Sequence, residues 1–336
     1  MFISNFPANQ NQLICGYVFS PESIGRSIGL DEVINWLNTP RDEASAEFVW
    51  MHFDLSKAYT EKWMRTNLNL PEAFFEALVV GSRSTRIEDV AENLIAVIND
   101  IAFKFSFEPS EISTLWVSAN QKMMVSARTH PLSSVDQLRV AVKNGVKFNS
   151  SMALLIYLFR VQEDLLVNIM RDATIKVDHI EDNLLTGELN SKRISLGKLR
   201  RVLVRLQRLL APEPTALFRF LHKPPQWIVE KDLNGLRQST EEFSLVIRDL
   251  AALQERIKLL QEEMAAQVSE QTNRSLFTLT VVTVLALPIN IIVGLFGMNV
   301  GGIPLAESAQ GFLIIVCVVV IFMLVASWSA FRNKAK

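Results

Sequence analysis

Asparagine, threonine and glycine at helical spacing are the residues of this chain whose types and positions suit a specific chemistry, and they sit where charge is missing. Residues 275–306 and 308–331 contain no Asp, Glu, Lys or Arg. Around the first run, Asn273, Leu276, Thr280, Thr283, Leu287, Asn290, Gly294 and Gly297 recur by alternating steps of three and four, which places them on one face of an α-helix. Off that face, positions 275–296 offer only Ser275 and Thr278 as polar side chains. Polar groups at membrane depth face a bundle interior or water, so the stripe reads as the lining of a narrow aqueous path. Close helix packing is the competing reading, because threonine can satisfy its hydroxyl on its own helix and small residues let backbones approach. Projected backward, the same steps pass Ser269, Ala266, Glu262, Leu259 and Glu255, placing Glu255 and Glu262 where rings of carboxylate would attract cations.

Other chemistries find little support. The four histidines, His52, His130, His179 and His222, have no partner at ligand spacing, and Cys15 and Cys317 are too far apart in sequence for a cysteine cluster. His179, beside Asp178, Glu181 and Asp182, is the best candidate for a soluble metal contact. No nucleophile, base and orienting group form a set, and no Gly-rich phosphate loop is present, which argues against an enzyme. Lys plus Arg total 34 against 35 for Asp plus Glu, so no global basic field exists to gather nucleic acid.

The elements that must position the stripe follow from hydropathy. The chain is 49% hydrophobic and 21% charged, with a mean hydropathy of +0.21, too apolar for an ordinary soluble protein of 336 residues. Both uncharged runs exceed the roughly 20 residues needed to cross a bilayer core. The first span covers Leu276 to Phe296 and the second Phe312 to Phe331, with a short outside loop over 299–311. Arg332, Lys334 and Lys336 form a basic tail that holds the C-terminus inside, and two spans return the N-terminus to the same side. Met1 to Leu13 contain neither a positive charge nor an apolar core, so no cleavable signal is expected and the N-terminal part is cytoplasmic.

That part begins with an α/β domain over 1–133. Strands are expected at Leu13–Phe19, Glu47–Asp54, Asn93–Ile98, Ile112–Ser118 and Lys122–Ala127, and helices at Leu30–Leu37, Lys57–Asn67 and Pro71–Leu78. The run from Phe48 to Phe53 is apolar nearly throughout, the pattern of a sheet covered on both faces. A helical hairpin and connector follow over 134–226. Acids (Glu163, Asp164, Asp172, Asp178, Glu181, Asp182, Glu188) dominate 163–190 and bases alone occupy 191–208, so opposite charges would face across the hairpin; surplus acids near its tip would otherwise concentrate cations. Pro212, Pro214, Pro224 and Pro225 mark the connector. From Trp227 a single stalk helix over 227–275 would continue into the membrane helix over 276–298, a rod on the order of 100 Å at 1.5 Å per residue. In its soluble half Phe243, Val246, Leu250, Leu253, Ile257, Leu260 and Met264 form a packing seam. Two spans cannot enclose a water-filled path, so the pore reading requires several copies with this helix innermost.

Gly294, Leu295, Phe296, Gly297, Met298 and Asn299, at the outer end of the first of two C-terminal spans, resemble the Gly-Met-Asn signature of the CorA family of divalent-cation transporters. The continuation Val300, Gly301, Gly302, Ile303, Pro304 is similar to the ZntB branch, associated with zinc. The resemblance covers nearly the whole chain. It implies a funnel-shaped homopentamer in a bacterial inner membrane, surrounded by lipid, with both termini cytoplasmic, five copies of the membrane helix around the pore and the Gly-Met-Asn turn as entrance filter. A transported divalent cation, zinc or, as the alternative, magnesium, cobalt or nickel, is then the cargo, with no resident cofactor and no nucleic-acid partner; a membrane-anchored scaffold without transport is the remaining alternative. In that frame Asn299 carboxamides hydrogen-bond the water shell of a reluctantly dehydrating cation, Gly297 brings its carbonyl near the axis, and Met298 packs behind. Gly301, Gly302 and Pro304 shape the turn, and Glu307 raises the local cation concentration outside.

Overall fold

The computed structural model describes residues 12–21, 23–39, 46–81, 85–102, 112–182, 189–298, 301, 304 and 309–332. The chain divides into two compact units, Met1–Leu260 and Gln261–Lys336.

In the first unit, seven strands form one sheet in the order β2-β1-β3-β7-β6-β5-β4. They are β1 (Leu13–Phe19), β2 (Arg26–Ser27), β3 (Phe48–Asp54), β4 (Arg86–Val90), β5 (Asn93–Ile101), β6 (Ile112–Ala119) and β7 (Met123–Arg128). All neighbours pair antiparallel except β3 and β7, which run parallel with Val49 opposite Met123 and Asp54 opposite Arg128. Both faces are covered, as the apolar run in β3 requires. Phe48 and Trp50 pack into one core with Val135, Leu138, Leu155, Phe159, Leu217 and Leu236, whereas Val49, Met51 and Phe53 point to the other with Val33, Met64 and Phe74. Alternating side chains of one strand thus feed two cores.

Helices α1 (Leu30–Asn38), α2 (Thr60–Asn67) and α3 (Glu72–Val80) supply the second core; α4 (Ser133–Lys143), α5 (Ser151–Asp182) and α7 (Pro212–His222) supply the first, and α6 (Leu189–Leu210) pairs with α5. The five expected strands and three early helices are present, with ends shifted by a few residues. Three features differ from expectation. Strands β2 and β4 carry no apolar alternation, and β4 turns into β5 through Ala91 and Glu92, both at positive φ (51° and 60°) without a glycine. The stretch 144–150 interrupts the helical region between α4 and α5. Pro212 and Pro214 stand in the first turn of α7, where their missing N–H groups have no helical acceptor to lose, so the irregular connector is confined to 223–229. The expected break at Thr186–Glu188 lies outside the described residues.

Helix α8 runs from Glu230 to Phe296, 67 residues, and passes through Pro288 without interruption. Its expected seam is buried throughout: Phe243, Val246, Leu250, Leu253, Ile257, Leu260 and Met264 are each under a tenth exposed. Gln254 Nε2 donates to the Leu203 carbonyl of α6 (2.9 Å), and Arg256 binds Asp178 of α5 (2.7 Å). The second unit contains the remainder of α8 and helix α9 (Gly311–Arg332). Among the described residues α8 is the one helix long and apolar enough to cross a membrane, its most apolar 18-residue window having a mean hydropathy of 2.4 with none of it buried; α9 contributes a shorter apolar stretch, Gly311–Val325.

Candidate functional site

Because α8 is continuous from Asn273 to Phe296, the residues Asn273, Leu276, Thr280, Thr283, Leu287, Asn290 and Gly294 share one face, and all of them are exposed in the single chain. The hydroxyls on this face are already satisfied within the helix: Thr280 Oγ1 donates to the Leu276 carbonyl and Thr283 Oγ1 to the Leu279 carbonyl, each at 2.8 Å. Thr278, off the face, does the same to Arg274 (2.9 Å). The threonine oxygens nevertheless keep lone pairs free to accept from water. Asn290, by contrast, presents a full carboxamide to its surroundings.

The helix is completed at its C-terminal end by Gly297, whose N–H donates to the Val293 carbonyl (2.9 Å). A Cβ at Gly297 would stand 3.0 Å from that same carbonyl oxygen, so the turn leaves little room for any larger residue. Met298 is half-exposed and follows directly. Gly301 and Pro304 occupy turns beyond it. Asn299, Gly302 and Glu307 lie outside the described residues.

Toward the soluble unit, Glu255, Leu259, Glu262, Ala266 and Ser269 are exposed and fall on the side of α8 opposite the buried seam. Glu255 binds Lys258 on the same helix (2.9 Å). Farther from the stripe, Glu163 of α5 and Glu242 of α8 lean on each other; partial burial, then repulsion from Glu242 and Asp164, pushes the Glu163 carboxyl up to about 7.

The acids around His179 do not form a metal cage. Arg256 binds both Asp178 and Glu181, which places a guanidinium where the sequence suggested a cation. Among the described residues no group of three or more His, Cys, Asp and Glu side chains is arranged to hold a metal ion. His52 is buried in the sheet, held neutral by burial and by the nearby Arg128 and Arg139. His130 has its Nδ1 against the Thr129 hydroxyl at 3.0 Å.

Sequence reasoning missed a second polar constellation, inside the first unit. Glu213 of α7 is fully buried, accepting the Asn99 N–H (2.7 Å) and the Gln162 side-chain amide (3.0 Å), while Asp100 accepts from the Ile101 N–H (2.7 Å) and the Ser134 hydroxyl. Burial raises both carboxyls, Asp100 to about 6 and Glu213 well above its ordinary range. Their separation in sequence hides them; only the proline-started helix α7, folded back on β5, brings Glu213 to Asn99.

A family model described as CorA-like Mg2+ transporter protein matches residues 45–332. The chain is 26% identical over 327 residues to the divalent cation transporter CmaX of Pseudomonas aeruginosa, covering 97% of each chain. It is 25% identical over 285 residues to the zinc transport protein ZntB of Yersinia pseudotuberculosis, covering 85% of this chain and 87% of the relative. The full-length CmaX structure superposes with a TM-score of 0.81 at 25% identity, over 98% of this chain and 100% of that one. The complete CorA magnesium transporter structure from Methanocaldococcus jannaschii gives 0.76 at 15% identity, over 94% and 96%, a likeness of fold.

Proposed function

The chain belongs to the CorA-like Mg2+ transporter family and is a divalent-cation transporter rather than an enzyme; from that premise we propose that zinc is its cargo and that the ion passes along the α8 face ending at Gly297. The observation that carries this reading is the one face of α8 on which Thr280, Thr283, Asn290 and Gly294 gather within an otherwise apolar helix. One copy leaves that face open, so a closed path needs a ring of copies; five is the number the family resemblance implies. The spans α8 over 276–298 and α9 over 312–331, an outer loop between them and both termini in the cytoplasm complete the arrangement in a bacterial inner membrane.

In this arrangement Asn299 stands at the outer mouth, immediately after the turn closed by Gly297. A carboxamide oxygen there accepts hydrogen bonds from the water shell of a dication, so recognition does not require the ion to shed all of its water. Inside the membrane, Thr280 and Thr283 offer oxygens about one turn apart and Asn290 another about two turns on. Glu255 and Glu262, on the continuing exposed line, add negative charge at the inner end.

Reconstitution into liposomes tests this directly. Zinc uptake is expected, competed weakly by magnesium, with Asn299→Ala abolishing it or broadening its selectivity. Magnesium outcompeting zinc in the same assay would favour the second reading, a magnesium channel, which the description of the family supports. Absence of flux with either ion would leave a membrane-anchored scaffold.

A further inference from the structure

We propose that the cleft between β7 and α4 binds a small soluble oxyanion of the phosphate class, independently of the ion path. A cavity of about 170 Å³ lies at the carboxyl ends of β3 and β7, walled by Leu132 and Val135 and presenting His52, Arg128, Asp136 and Arg139. Crevices outside the carboxyl ends of parallel strands are where open α/β sheets place their ligands, and β3 with β7 is the parallel pair of this sheet.

The polar groups there favour an anion. Arg128 is half-buried, and its Nε donates to His52 Nε2 at 3.0 Å. His52 is kept neutral, so it accepts that bond and neutralises nothing. Among the described residues no carboxylate forms an ion pair with Arg128. Arg139 meets Asp136 only at 3.4 Å, and its buried Nε has no hydrogen-bond partner among the described residues. The neighbouring Cys15 thiol is held protonated by burial, which pushes it up to about 12, so it supplies no negative charge either. Lys143, one turn beyond Arg139, adds to the positive potential around Cys15. Two guanidiniums face the cavity: Arg128, partly desolvated and in the field of Asp54 and Asp136, and Arg139, which contacts the protonated Cys15 thiol and Asp136 while its Nε is left open. A tetrahedral oxyanion supplies the missing acceptors in the geometry that guanidinium forks match. The volume sets the size: it holds a phosphate group or a short phosphomonoester and falls below the ~300–1,000 Å³ of pockets for larger cofactors.

The test is calorimetric titration of the full chain in detergent at constant ionic strength with inorganic phosphate, glycerol 3-phosphate and, as control, chloride. Saturable phosphate binding is expected, with affinity reduced at least about tenfold in Arg139→Gln, the equivalent of one charge-assisted hydrogen bond. Arg139→Lys should fall between, keeping charge without the fork. Because Arg128→Gln also removes a bond to His52, its melting temperature is measured alongside, and Arg139→Gln, on a partly exposed side chain, serves where Arg128→Gln fails to fold. Glycerol 3-phosphate binding more tightly than inorganic phosphate identifies an organic monoester as the occupant, and the reverse order identifies free phosphate. No saturable binding to the parent protein, binding no stronger than chloride, or unchanged affinity in Arg139→Gln overturns the proposal.

Discussion

Glu213 accepts the backbone N–H of Asn99 at 2.7 Å, and this bond ties α7 to β5, the strand next to the sheet edge, from a fully buried position. Its second oxygen accepts from Gln162 of α5, whose amide also reaches the Asn99 carbonyl at 2.6 Å. Three elements are thereby joined through one carboxyl group beside the equally buried Asp100.

That relationship makes stability depend on pH with a defined sign. Both carboxyls have folded-state pKa values raised by burial, so the folded chain holds more protons than the unfolded one above pH ~4. The contribution of these two groups should therefore be greatest below about pH 4 and fall as pH rises from there to about 6 for Asp100, a loss of order 3 kcal/mol for that group, and further at higher pH for Glu213. Melting temperature of the detergent-solubilised chain, followed from pH 5 to 8, should drop; Glu213→Gln should flatten the profile because the amide keeps an acceptor for Asn99. A parallel drop in both proteins would exclude Glu213 as its source.

Ser126 lies between two rings of β3. Its hydroxyl oxygen accepts from Trp50 Nε1 and meets His52 Nδ1, each at 2.9 Å, in a fully buried site. Since Arg128 donates to His52 Nε2, the proton of the neutral ring is on Nδ1 and points at Ser126. Ser126→Ala leaves two buried donors without acceptors and should cost about 2–4 kcal/mol, with a shift of tryptophan emission; denaturant titration that matches the parent would contradict the bond assignments.

The β4–β5 turn stores removable strain. Ala91 and Glu92 both adopt positive φ, the region that Asn and Gly occupy at little cost and Ala and Glu do not. Replacing the pair by Asn-Gly should stabilise the protein by about 1–2 kcal/mol, read as a higher melting temperature. An unchanged or lower value would show that the Ala91–Glu92 geometry is not limiting.

On α8, two substitutions separate packing from transport. Leu250 is buried in the seam, so Leu250→Ala should cost about 2–5 kcal/mol. Thr283 is exposed and bonded only to its own helix, so Thr283→Leu should leave folding intact and reduce zinc flux in liposomes if that face lines the path. Full flux from Thr283→Leu would instead assign the stripe to helix packing.

Much of this chain was legible in one dimension. The uncharged runs, the strand at Phe48–Asp54 with apolar residues on both faces, the seam from Phe243 to Met264 and the polar stripe of α8 all follow from periodicity, which needs only near neighbours. The family followed from a short signature in that context and from the residues it joins. Tertiary structure decided what depends on residues distant in sequence. Strand β4 was invisible because its turn lacks the Asn-Gly signal, and α7 because proline signals a break until its position in the first helical turn is known. Arg256 occupies Asp178 and Glu181 across some 75 residues of chain, converting a possible metal contact into an ion pair. Glu213 with Asn99, and Arg128 with His52, likewise meet only because the sheet and its covering helices close on them, and burial, which no local pattern encodes, then sets their charge.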